Sequence, residues 1–110
     1  MPSRLELKFH DAMLTIYKRA KEEADYPAQR FIGMVSEQGG LATAKYLLNT
    51  PHVSDGYTAL WQRGRLDLTV ERVILEPEWL PLFTSEERKI AIQRLRDYGY
   101  TDALPDPESD

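Results

Sequence analysis

Glycine and proline residues divide this chain into short segments, and most of these segments carry the apolar spacing of a helix. The division is densest in residues 39–83, which hold both tryptophans and four of the six glycines. A proline cannot continue a helix, and a glycine readily adopts the left-handed conformation that ends one. The chain is therefore expected to fold as several short helices joined by tight turns.

Apolar residues recur at spacings of three and four along residues 4–24, as on the buried face of a single helix. That face consists of Leu5, Phe9, Met13, Ile16 and Ala20. Further helices are predicted over residues 27–38, 41–49, 55–63 and 85–98, with one more short segment after Thr69. In the helix over residues 55–63, the side chains of Tyr57, Leu60 and Trp61 are expected to point inward.

Residues that cap or stop helices occur where these segments meet. The predicted N-caps are Ser3, Ser54, Thr69 and Thr84, and Glu87 completes a capping box with Thr84. Gly39 and Gly40 are expected to supply a left-handed stop between two helices. Trp79 lies between Pro77 and Pro81, which predicts an irregular connector there.

The expected fold class is all-α, since no run of residues alternates between apolar and polar with the period of a strand. We predict a compact bundle of about five or six short helices, forming one domain over residues 1–100. Residues 101–110 are predicted to be a disordered, acidic C-terminal tail. This tail holds four of the 18 acids and no base, so the remaining 14 acids equal the 14 Lys and Arg. The net charge of −4 therefore belongs to the tail.

The composition excludes several classes of protein. The absence of cysteine excludes disulfide scaffolds, cysteine-based zinc sites and thiol catalysis. The chain has no apolar run that resembles a signal peptide and no stretch long enough to span a membrane. The expected location is the cytoplasm, without membrane attachment.

The two histidines are the candidates for a catalytic or metal-binding residue. Glu6 and His10 share a helix face, but two ligands do not complete a metal site, so a surface hydrogen-bonded pair is expected. His52, Ser54 and Asp55 lie in one loop, whereas a catalytic triad needs its base to approach the nucleophile from a separate element. The sequence predicts no catalytic residue, no cofactor and no metal. A metal-dependent hydrolase that uses Glu6 and His10 is kept as the second alternative function.

DNA binding is the first alternative function. Residues 41–65 contain two predicted helices joined by a short turn, as in a helix-turn-helix. Ser54, Asp55 and Tyr57 would lie near the bases at the start of the second helix. That helix begins with an acid, and the neutral domain lacks the positive charge that DNA binding requires.

An aromatic residue and two arginines lie together in residues 61–65, and Trp, Tyr and Arg are the usual anchors of protein interfaces. The candidate interaction residues are Tyr57, Trp61, Arg63 and Arg65. A buried position is nevertheless expected for Trp61, and Arg63 or Arg65 can pair with nearby acids such as Asp67.

Three stretches, MVSEQGGLATAKYLL, VSDGYTALWQRGRLDLTVE and the PEW…LFTSEER…RLRDYGY ending, resemble a small bacterial helical module of unknown function. The resemblance covers residues 4–100. It implies a bacterial, cytoplasmic protein that occurs alone or appended to larger proteins, with no transferable activity. The leading hypothesis is a non-catalytic helical domain that acts through protein–protein contacts, as an adaptor or by self-association.

Overall fold

Helix α1, Arg4–Glu23, is the longest of six α-helices in the computed structural model, which describes residues 3–104. The others are α2 Gln29–Gln38, α3 Gly40–Leu48, α4 Asp55–Gln62, α5 Val70–Val73 and α6 Ser85–Asp97. Two short 3-10 helices lie at Leu66–Leu68 and Pro77–Leu82, and residues 3–104 contain no strand. The prediction of an all-α fold is therefore confirmed.

The predicted helix caps are formed by side-chain oxygens. Ser54 Oγ accepts from the Tyr57 N–H at 3.1 Å, and Ser3 and Thr69 cap α1 and α5 in the same way. Thr84 and Glu87 form the predicted capping box at the start of α6. Each cap satisfies an N–H group that has no partner within the helix.

Helix α2 ends at Gly39, which has a positive φ of 91° as expected of a glycine stop, but its ψ of 161° lies outside the left-handed helical region. Gly40 has a different role, because α1 passes directly beside it. A Cβ atom at residue 40 would lie 2.8 Å from the His10 Cα. His10 Nδ1 also accepts a hydrogen bond from the Gly40 N–H at 2.9 Å, so this histidine joins α1 to α3 and the expected pair with Glu6 is not formed.

The buried residues form two hydrophobic clusters. Phe9 lies in the larger one, with the rings of Trp79 and Phe83 packed edge-to-face against it, each at a centroid distance of 5.2 Å. Trp79 is held there by the 3-10 helix Pro77–Leu82, where the sequence predicted an irregular connector. The smaller cluster consists of Ala20, Leu60 and Leu68.

Predictions for three parts of the chain can be compared with the structure. Trp61 is 44% exposed instead of buried, because its ring packs on Tyr98 from the surface side of α4. Leu104, within the predicted tail, is partly buried against the larger cluster, whereas Thr101, Asp102 and Ala103 are exposed. Helix α2 begins at Gln29, after the predicted start at Pro27. Residues 105–110 of the predicted tail lie outside the described residues.

Candidate binding cavity

A cavity of about 390 Å³ opens among helices α1 to α4 and the start of α5. Its buried wall lies between the two hydrophobic clusters. Ile16, Tyr57 and Val70 line it from the larger cluster, and Ala20, Leu60 and Leu68 line it from the smaller one. The two clusters therefore leave an opening between them. A volume of this size is typical of sites that take a ligand or a side chain.

Aromatic side chains make up much of the rest of the lining. The rings that line the cavity are Tyr17 on α1, Tyr26 after α1, Phe31 on α2, Tyr46 on α3 and Tyr57 on α4. Tyr46 is 53% exposed, which places an amphipathic ring at the surface end of the cavity. Met34 on α2 adds a flexible apolar side chain.

The hydroxyl groups of the lining serine and threonines are already used by the fold. Ser54 Oγ accepts from the Tyr57 N–H, as described above. Thr50 Oγ1 donates to the Leu47 carbonyl at 2.7 Å, and Thr69 Oγ1 donates to the Leu66 carbonyl at 2.7 Å. These oxygens cap helices and fix turns. His52 and Asp55 line the cavity near Ser54, but no hydrogen bond among the described residues joins their side chains to it.

A buried ion pair lies at the α5 side of the cavity. Arg94 on α6 donates from Nη1 to Oε2 of Glu71 at 2.9 Å, and the two side chains are only 12% and 4% exposed. Burial raises the pKa of Glu71, and the hydrogen bond from Arg94 offsets this only in part. The carboxylate is thus held by an internal cation rather than left free to act as a base.

Tyr57 was predicted as an interaction residue, and the structure places it in the cavity wall. It is 2% exposed, and its hydroxyl donates to the Arg94 carbonyl at 2.9 Å. Burial raises the pKa of Tyr57 well above its ordinary value. Its ring packs edge-to-face on Tyr98 at 5.0 Å, and Tyr98 in turn packs on Trp61 at 5.3 Å. The three rings therefore connect the cavity wall to the surface.

The two predicted arginines are bound within the chain. Arg63 donates from Nε to the Ala24 carbonyl at 3.0 Å, and its guanidinium lies 5.1 Å from the centre of the Tyr26 ring. Arg65 bridges Glu23 at 2.7 Å and Asp67 at 3.0 Å, so the expected pairing with Asp67 is formed.

The carboxylates around Arg65 respond to this arrangement. Hydrogen bonds from Arg19 and Arg65 lower the pKa of Glu23 to about 2. The hydrogen bond from Arg65 also lowers the pKa of Asp67. The four predicted interaction residues do not form one open surface, since Tyr57 is buried and both arginines have partners. Trp61 is the one among them with a largely exposed ring.

The alternative functions gain no support from the described residues. Within residues 3–104, no group of three or more His, Asp or Glu is placed to hold a metal ion. Helix α3 packs mainly on α1, α2 and α6, and α4 packs mainly on the Leu66–Leu68 turn. Tyr57, which would lie near the bases in a helix-turn-helix, is buried. None of the helices in this range is long and apolar enough to cross a membrane.

The cavity itself was missed by sequence reasoning, because its lining comes from separate parts of the chain between α1 and α5. One signal for it was available on α2. This helix carries Phe31, Ile32, Met34 and Val35, of which the structure buries only Val35. A helix with more apolar side chains than its buried face can hold exposes the remainder, and such exposed apolar side chains indicate a further apolar surface. Compared with protein-family models, with curated proteins and with solved structures, the chain shows no match.

Proposed function

We propose that this chain is a non-catalytic helical domain that acts through protein–protein contacts, and that its cavity receives an apolar side chain from a partner segment. One observation supports this above the others: the cavity of about 390 Å³ that opens between the two hydrophobic clusters. Protein interiors are normally packed as densely as organic crystals, so an apolar opening of this size is room for an occupant.

The lining favours binding over catalysis. The hydroxyls of Ser54, Thr50 and Thr69 are engaged in caps and turns, and Glu71 is paired with Arg94. An active site needs a nucleophile or base that is free to reach its substrate and is oriented by a third group. The wall offers apolar contact area instead, and such area supports binding but not catalysis.

The rim favours a protein segment as the occupant. Arg30, His52 and Asp55 are exposed at the cavity, and no hydrogen bond or ion pair among residues 3–104 engages their side chains. An apolar centre surrounded by polar side chains is the usual anatomy of a protein interface. Tyr46 adds an exposed aromatic ring of the kind that is enriched at such interfaces.

The proposal includes a cytoplasmic, bacterial setting, in keeping with the cysteine-free composition and the sequence resemblance. The partner is either another protein, for an adaptor, or a second copy of this chain. Sedimentation of the pure protein separates the two cases, because self-association makes the measured mass depend on concentration. A monomer at every concentration points to a different protein as partner.

Two glycine substitutions test the role of the cavity. Gly56 lines it, and a Cβ there would meet Ser54 Oγ and the Tyr26 ring at 3.8 Å, which is ordinary contact. Gly56→Leu should therefore fold and place its added side chain in the cavity. Gly33→Leu is the matched control, since Gly33 is also helical and has no atom within 4 Å of such a Cβ.

The measurement is retention of proteins from a cell lysate on immobilised wild type and both variants, together with sedimentation of each. We expect a partner that wild type and Gly33→Leu retain equally and that Gly56→Leu loses. If the partner is a second copy of the chain, wild type and Gly33→Leu should dimerise equally, and Gly56→Leu should remain a monomer. Equal retention or association by Gly56→Leu would contradict the proposal.

A further inference from the structure

We infer that Arg94 is the positioning residue of the cavity, although its own side chain does not line it. This inference rests on the proposed function, because it concerns how the cavity keeps the shape that its occupant needs. Arg94 lies on α6, behind the wall, and its contacts reach cavity-lining residues on four separate segments.

The guanidinium joins three of these segments. Nη1 donates to the Leu47 carbonyl at 3.0 Å and to Glu71 Oε2 at 2.9 Å, while Nη2 donates to the Thr50 carbonyl at 2.6 Å. Leu47 lies in the last turn of α3, Thr50 in the loop that follows, and Glu71 on α5. All three acceptors belong to residues that line the cavity.

The backbone of Arg94 joins the fourth segment. Its carbonyl accepts the hydroxyl proton of Tyr57 at 2.9 Å, and Tyr57 forms part of the cavity wall on α4. The C-terminal end of α3 and the start of α4 are therefore held at a fixed separation by one residue of α6. The loop between them, residues 49–54, contributes Thr50, His52, Val53 and Ser54 to the lining.

A second opening at this loop indicates why Arg94 is needed there. A second depression of about 350 Å³ is lined by Arg94, Pro51 and Gln93, and Thr50 lines both openings. Thr50 therefore borders two openings. The hydrogen bond from Arg94 to the Thr50 carbonyl supplies a fixed contact where side-chain packing is incomplete.

Arginine is suited to this position for a chemical reason. Its planar fork presents several N–H donors in fixed directions, so one side chain can hold two carbonyls and a carboxylate at once. Lysine keeps the charge and can stay paired with Glu71, but a point charge on a flexible stem does not fix the two carbonyls in the same geometry. Arg94→Lys therefore keeps the ion pair with Glu71 while removing the fixed hydrogen bonds that position the loop.

The control comes from the same helix. Arg96 also donates to two backbone carbonyls, those of Tyr100 at 2.7 Å and Asp102 at 3.0 Å, but neither acceptor lines the cavity. Arg96→Lys replaces a guanidinium that donates to two carbonyls, both from Nη1, at the C-terminal end of the domain. A general loss of helix packing would affect both variants, whereas a loss of cavity shape would affect only Arg94→Lys.

The test is a fluorescence titration with N-phenyl-1-naphthylamine, a neutral aromatic probe that does not respond to the charges at the rim. Wild type, Gly33→Leu and Arg96→Lys are expected to bind it alike, and Gly56→Leu to lose binding. Because the loop is no longer held in its binding shape, Arg94→Lys should bind about tenfold more weakly. All titrations are made well below the melting temperature of each variant, so that the affinity refers to folded protein.

The outcomes separate the two proposals. If Gly56→Leu loses the probe and Arg94→Lys binds it like wild type, the inference on Arg94 is wrong and the cavity proposal stands. If wild type does not bind the probe, or Gly56→Leu binds it equally, both are overturned. If Arg94→Lys does not melt cooperatively, Tyr57→Phe decides, because it keeps the ring and removes the donor to Arg94. An unchanged affinity of Tyr57→Phe would then overturn the inference.

Discussion

The backbone N–H of Gly40 donates a hydrogen bond to Nδ1 of His10 at 2.9 Å, at a point where helices α1 and α3 pack closely against each other. A Cβ at residue 40 would lie 2.8 Å from the His10 Cα, which is a backbone atom and cannot rotate away. Gly40→Ala should therefore force the helices apart and lower the free energy of unfolding by about 1–3 kcal/mol. Urea denaturation measures this difference.

Gly33→Ala is the control for that experiment. Gly33 lies on α2, and no atom would come within 4 Å of an added Cβ. Alanine in such a helical position is expected to raise the free energy of unfolding by about 0.5–1 kcal/mol. Equal effects of the two substitutions would mean that the close approach of α1 and α3 does not limit residue 40.

The two tryptophans should differ in their contribution to stability. Trp79 is 5% exposed and packs on Phe9, so Trp79→Ala is expected to cost about 3–5 kcal/mol. Trp61 is 44% exposed and has its edge-to-face contact with Tyr98, so Trp61→Ala should cost only about 0.5–1.5 kcal/mol. Urea denaturation of both variants gives the comparison.

Fluorescence quenching provides an independent measure of the same difference. Trp79→Phe leaves Trp61 as the fluorophore, and Trp61→Phe leaves Trp79. Iodide should quench the fluorescence of Trp61 strongly and that of Trp79 weakly, since iodide reaches only exposed rings. Similar quenching of both variants would conflict with the burial of Trp79.

Acidification should change the contributions of Glu71 and Glu23 to stability in opposite directions. The pKa of Glu71 is raised above 4.5 in the folded state, so ionisation of this group weakens folding. That cost is present above the folded pKa and disappears as the pH falls from there towards 4.5. The unfolding free energy of wild type relative to Glu71→Gln should therefore increase as the pH is lowered towards 4.5.

Glu23 supplies the comparison with the opposite sign. Its folded pKa is about 2, below the ordinary 4.5, because it accepts hydrogen bonds from Arg19 and Arg65. Its contribution is present above 4.5 and is lost as the pH falls towards 2. The unfolding free energy of wild type relative to Glu23→Gln should thus decrease as the pH falls from 4.5 towards 2. If the stability difference between wild type and each variant changed with pH in the same direction for both, the assignment of Glu71 as the destabilised carboxylate would be contradicted.

Local features of the fold were predictable because their causes lie within a few residues. Ser54 caps α4 through the N–H of Tyr57, and the Thr84–Glu87 capping box spans the same short distance. The core face of α1 also follows from spacing alone. Such patterns determine where a helix begins, ends and turns its apolar face.

Features that depend on how helices pack against one another were not predictable. Tyr57 and Trp61 lie on neighbouring turns of α4, yet one is buried and the other is 44% exposed. The spacing of apolar residues on α4 does not reveal that Tyr98 covers only one side of Trp61. The cavity is a feature of the same kind, since Tyr17, Phe31 and Tyr46 meet an opening instead of a neighbour.

Tyr46 and Trp61 allow the predicted interaction surface and the cavity to be compared directly. They are the most exposed aromatic side chains of residues 3–104, at 53% and 44%, and only Tyr46 lines the cavity. Tyr46→Ala is expected to weaken retention of the partner, because it removes aromatic contact area at the cavity. Trp61→Ala should retain the partner like wild type, provided that its melting temperature confirms that it is folded. Loss of the partner by Trp61→Ala and not by Tyr46→Ala would move the interaction surface from the cavity to the Trp61–Tyr98 pair.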